Sequence, residues 1–96
     1  MNWTEAVVGC RYKSFIQGDV QLRLVEFSEG FVEPGWCLHG HAGYVLDGEF
    51  SIDFDGNPER FKKGDTVYIP SGNDNKHKAI IEKGDKVTLL LFEILN

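Results

Sequence analysis

The sequence predicts an all-β fold, a small antiparallel barrel, on three observations. Glycine recurs eleven times in 96 residues, which cuts the chain into runs suited to short strands and leaves helix signals nearly absent. Phe50, Ile52 and Phe54 alternate with Ser51, Asp53 and Asp55, the period-two pattern of a strand with one buried face. The closing run VTLLLFEIL, Val87 to Leu95, is apolar on both faces. Such a strand belongs between two sheets or under a second subunit.

Taken in order, Arg11–Gln17 reads as a strand, Gly18-Asp19 as a turn, and Val20–Ser28 as a strand with Val20, Leu22 and Leu24 on one face. Glu29-Gly30 turns again, and Pro34-Gly35 opens a central stretch that ends at Gly48. If that stretch is extended, Cys37, His39 and His41 share a face with Gly43 and Val45, because strand residues two apart point the same way. Asp47-Gly48 is a hairpin signal that leads into the strand EFSIDF. Asp55-Gly56-Asn57-Pro58 is a turn, Glu59–Lys62 a strand, Lys63-Gly64-Asp65 a turn, and Thr66–Ile69 a strand stopped by Pro70-Ser71-Gly72. His77–Glu82, the turn Lys83-Gly84-Asp85, and Lys86–Leu95 complete the chain.

Composition narrows the function. The residues are 42% hydrophobic and 12% aromatic, enough for one compact domain over residues 1–96. The net charge is −5 with no basic stripe, which excludes a nucleic-acid backbone as partner. No apolar run is long enough to span a bilayer, and the N-terminus lacks the charged and apolar regions of a signal peptide. The expected location is cytoplasmic, where Cys10 and Cys37, the two cysteines, stay reduced. A domain this small gains from association, so a homodimer sealed by strands is expected.

Two motifs carry a resemblance. Gly64 to Gly72 reads GDTVYIPSG, a G-x5-P-x-G pattern, and Tyr44 to Gly48 reads YVLDG. In both, with motif one at about 35–48 and motif two at about 64–79, the chain resembles the cupin superfamily from Val32 to Ile94. The resemblance implies a double-stranded β-helix of the RmlC-like jelly-roll type, with a site inside the barrel. The family's first motif is H-x-H, three or four residues, Glu, then six residues and Gly. Counted back from Gly48, those slots fall on Gly35, Cys37 and His41, and the histidine slot of motif two falls on Asn75. The usual ligand set is therefore replaced. A second alignment takes His39-Gly40-His41 as the H-x-H, with Glu49 as the acid beyond the turn.

The residues themselves suggest a site of different composition. Lys76 and Lys78 must stay wet, so His77 faces inward by parity. His39, His41 and Cys37 follow Val45 inward by the same rule. Histidine and cysteine together suit a divalent transition metal, zinc, iron, nickel or manganese, held by His39, His41, His77 and Cys37. Cys37, Val45, Ile52 and Asn75 are the candidate lining of a ligand pocket. The plainer alternatives are buried histidines that are only hydrogen-bonded and a cysteine that is only a small core residue. Glu33 and Glu49 are acid or base candidates, with exposed turn carboxylates as the alternative. No serine has a base at a recognisable spacing. Three functions remain in play: a barrel binding a small polar molecule with or without a metal, a metal-dependent oxygenase, isomerase or lyase, and a non-catalytic assembly protein.

Overall fold

Among the described residues, eight strands follow the glycine punctuation closely. The computed structural model describes residues 2–33, 35–38 and 40–94. The strands are β1 (Thr4–Val7), β2 (Cys10–Gln17), β3 (Val20–Ser28), β4 (His41–Phe54), β5 (Asn57–Lys62), β6 (Thr66–Ile69), β7 (Lys78–Ile80) and β8 (Lys86–Ile94). One 3-10 turn, Asn73–Asn75, stands before β7. All strand pairs are antiparallel, in the order β1-β2-β3-β8-β4-β5, with β6 and β7 also paired to β4. His39 and Leu95, both named from the sequence, lie outside the described residues.

The long strand β4 organises the barrel. Its first part lies between β6 and β8, and its last part lies between β5 and β7. The hairpin expected at Asp47-Gly48 does not form: the strand runs through as a bulge. Val45 pairs with Leu89 and Asp47 with Thr88, so β4 carries one extra residue there. A left-handed glycine next to a strand serves either a hairpin turn or a bulge, and the pairing with β8 selects the bulge. The insertion also reverses parity. Gly43 and Val45 point inward before it, and Phe50 and Ile52 do so after it. The Lys63-Gly64-Asp65 turn locks onto the bulge: the Val45 N–H donates to the Asp65 carbonyl at 2.9 Å, the Gly64 N–H to the Val45 carbonyl at 3.0 Å, and the Lys63 N–H to the Gly48 carbonyl at 3.0 Å. The two sequence motifs thus meet at one place.

The core is Val25, Val45, Phe50, Ile52, Val67, Ile69, Val87, Leu89 and Leu91. β8 lies between β3 and β4, with Val87, Leu89 and Leu91 buried and Leu90, Phe92 and Ile94 exposed. One of its two apolar faces is therefore turned outward. On β3 the row Val20, Leu22 and Leu24 is not the inner one; Val25 is buried, and Leu22 and Leu24 pair with Phe92 and Leu90 across the outer face. β1 was not anticipated, because TEAV carries no alternation, and all four of its residues are exposed.

Candidate metal centre

Three of the four candidate ligands come together at one end of the barrel interior. One ligand atom from each of Cys37, His41 and His77 lies within 4.8 Å of the others. Cys37 is not part of β4, which begins at His41; the extended run expected from Cys37 onward is broken. What places Cys37 is a non-local bridge. Its N–H donates to the His77 carbonyl at 2.8 Å, and the His77 N–H donates to the Cys37 carbonyl at 3.1 Å. Residues directly opposite across such a bridge share a face. His77 itself precedes β7, so the strand expected over His77–Glu82 is shorter and starts one residue later.

The two rings are oriented by their outer nitrogens. His77 Nδ1 lies 2.9 Å from the Asn75 carbonyl, which can only accept, so Nδ1 carries the proton. His77 Nε2 is then a bare acceptor, buried and without a hydrogen bond among the described residues. Burial lowers the His77 pKa, reinforced by the neighbouring His41, while the Asn75 bond opposes the shift. That keeps the ring neutral, the form that ligates metals. His41 Nδ1 is 2.8 Å from Glu93 Oε2, and its Nε2 is 3.7 Å from Cys37 Sγ. The rings meet edge to face with centroids 5.4 Å apart.

A carboxylate behind a histidine fixes its tautomer and strengthens it as a ligand. Glu93 stands behind His41 at ion-pair distance and is itself held by Arg23, at 2.7 Å from Nε and 3.2 Å from Nη2, and by Gln21 at 3.0 Å. Burial pushes the Glu93 carboxyl up, but the His41 bond and the Arg23 charge outweigh it and hold the pKa at about 2. Neither Glu93 nor Arg23 was singled out from the sequence. The available signal was parity: Glu93 is a charge in register with the buried Val87, Leu89 and Leu91.

The cavity beside these groups has a volume of about 250 Å³. Cys37, His41, His77 and Ile52 line it; Val45 and Asn75 do not. Val45 is fully buried in the core next to the bulge. Asn75 sits in the 3-10 turn, where its amide reaches back to the Ser71 carbonyl at 3.5 Å and its own carbonyl holds the His77 ring. Of the family slots, Cys37 and His41 are therefore in the site, while His77 stands there in place of Asn75. Glu33, expected among exposed turn carboxylates, is half-buried in the lining and accepts the Ala79 N–H at 3.1 Å. Burial raises its pKa. Glu49 is exposed and pairs with Arg60 at 3.4 Å. Trp36 is covered by Lys76 and Lys78, at 5.2 and 4.5 Å from its ring, and Trp3 by Arg11 and Lys13. No disulfide links Cys10 and Cys37. No helix among the described residues is long and apolar enough to cross a membrane.

The donor set fits a metal. Two imidazole nitrogens and one thiol converge, and the nitrogen of His77 is a buried acceptor with no other partner among the described residues. Three protein ligands are the number found in metal sites that keep one position open.

No curated protein matches the chain. Its structure is similar to that of KdgF from a Halomonas species, at 24% identity and a TM-score of 0.77, over all of this chain and 88% of that one. It is also similar to an RmlC-like cupin from Shewanella frigidimarina, at 18% identity and a TM-score of 0.77, over 99% and 84%. A third similar structure is the polyketide cyclase RemF from Streptomyces resistomycificus, at 21% identity and a TM-score of 0.77, over 92% and 66%. At these identities the likeness establishes the fold alone. Residues 23–94 match the family model of the cupin domain, and with the barrel and both motifs in place the chain belongs to the cupin family.

Proposed function

We propose that this cupin binds a small molecule in its barrel beside one divalent transition metal, held by Cys37, His41 and His77. The observation that carries the reading is the convergence of those three ligand atoms with His77 Nε2 bare and buried. Among zinc, iron, nickel and manganese, a thiol with two imidazoles favours zinc. When bound, such an ion supplies Lewis acidity toward an oxygen of the small molecule. The chain's own residues do the rest. The Asn75 carbonyl and Glu93 orient the two rings, and a largely apolar lining faces the small molecule.

Metal analysis of the purified protein tests this. Near one equivalent of zinc per chain is expected, with most of it lost in His77→Ala and His41→Ala. Retention should weaken as the pH falls below the imidazole range, since protons compete for the ligands. No uptake of any of the four metals would leave only a metal-free pocket.

A second reading, a metal-dependent enzyme of oxygenase, isomerase or lyase type, is favoured by Glu33. A carboxyl in the same cavity with a raised pKa suits proton transfer.

We also propose that two copies pair through the outer face of the sheet. Leu22, Phe92 and Ala42 stand side by side across β3, β8 and β4, and Leu90 lies next to Tyr44. Tyr68 on β6 extends this surface beside Ala42. Leu22, Tyr44, Tyr68, Leu90 and Phe92 are all exposed, and an apolar patch spread over four neighbouring strands marks an interaction surface. Sedimentation at micromolar concentration should give a dimer, and Phe92→Lys a folded monomer. A wild-type monomer would refute the pairing.

A further inference from the structure

The charges around the cavity restrict what it accepts. Among the described residues, Arg23 is the one lysine or arginine side chain in the lining. It is already committed, with Nε and Nη2 forked onto the two oxygens of Glu93. A bidentate pair of this kind is geometrically complete and leaves little attraction for a second anion. Glu33, by contrast, brings a carboxylate to the lining, where its Oε2 accepts the Ala79 N–H. Summed over the lining groups, a divalent metal, the Cys37 thiolate and the Glu33 carboxylate would cancel one another, with Arg23 and Glu93 already paired.

The rest of the wall is apolar and rich in rings, with Tyr12, Phe27, Phe31 and Phe50 among the lining residues. Phe27 and Phe31 have ring centroids 4.7 Å apart. The volume of about 250 Å³ compares with roughly 150 Å³ for an apolar cavity that admits benzene. A single ring with one or two substituents fits.

We infer that the ligand is a compact, uncharged, largely apolar molecule carrying a hydroxyl donor, of the phenol or small-alcohol class, rather than a carboxylate, a phosphate or an amine. The inference rests on the cavity being the working site of the proposed function. A hydroxyl can donate to the Glu33 carboxylate without changing the charge of the site, whereas a carboxylate or an amine would bring a charge that no uncommitted lining group offsets.

Calorimetric titration with p-cresol, benzoate and benzylamine tests this, since the three probes share a ring and differ in charge. Apo and zinc-treated protein are both titrated, and zinc is assayed in the same samples. Binding of p-cresol at least tenfold tighter than either charged probe is expected. Glu33→Gln should tighten benzoate at least threefold relative to p-cresol. Benzoate or benzylamine binding as well as p-cresol, or no probe binding at all, would overturn the ligand class. Zinc present without that preference sinks this inference alone. The preference without zinc uptake sinks the metal reading and leaves the ligand class standing.

Discussion

Replacing Glu93 by Gln is expected to cost this protein both stability and metal. Glu93 is buried on the inner face of β8, with its carboxylate shared by Arg23, Gln21 and His41. The carboxyl titrates at about 2 in the fold against an ordinary 4.5, a difference worth about 3 kcal/mol of stability at neutral pH. A depressed carboxyl contributes fully above its unfolded value and loses its contribution as protons bind the native state. The wild type should therefore lose this stability as pH falls from about 4.5 towards about 2. Glu93→Gln should lack it already at pH 7, with Tm lowered by roughly 15 °C for a domain of this size. Arg23 would be left half-buried without its counter-charge, which adds to the loss. His41 would also lose its orienting partner, so metal affinity should fall roughly 10–100-fold. Thermal unfolding from pH 2 to 7 measures the first effect and a competitive chelator titration the second. Equal Tm values for variant and wild type at pH 7 would contradict this account of Glu93.

Gly48→Ala is expected to be among the most destabilising single changes in the chain. Gly48 has φ of +78°, where L side chains are strained. A Cβ there would fall onto the Lys86 carbonyl oxygen across the bulge. Either β4 and β8 separate or the bulge is lost, and loss of the bulge reverses the parity of every residue beyond it. Strain of this kind costs about 3 kcal/mol. Chemical denaturation of Gly48→Ala against Gly56→Ala isolates the contact. Gly56 has φ of +93° but open space around a Cβ, so its variant bears the backbone strain without the clash. Equal losses in the two variants would show that the close approach to Lys86 is immaterial.

The bulge also explains which parts of the molecule were legible in the sequence. β3 and β6 have the bounds expected from their flanking turns, Val20–Ser28 and Thr66–Ile69, because glycine and proline end strands by local chemistry. The hairpin expected at Asp47-Gly48 fails because the same dipeptide serves a hairpin or a bulge, and only its distant partners on β8, Thr88 and Val87, decide between them. His41 and His77 follow from alternation on their own segments. Cys37 arrives beside them through hydrogen bonds to His77, a contact that alternation along one strand does not contain. Nothing in the local sequence sets Arg23 and Glu93 apart from surface charges. Their burial becomes readable only when the inner face of β3 is known to be the row of Arg23 and Val25 rather than that of Leu22 and Leu24.

The most direct test of the metal centre is the absorption spectrum of the protein loaded with cobalt(II) in place of zinc. Cobalt reports both the coordination number and the presence of sulfur. The Cys37–His41–His77 site predicts intense visible bands of low coordination together with a thiolate-to-cobalt charge-transfer band in the near ultraviolet. In Cys37→Ser the charge-transfer band alone should vanish, while the visible bands persist at reduced affinity. A spectrum of weak octahedral bands with no thiolate transition, unchanged by Cys37→Ser, would contradict the site.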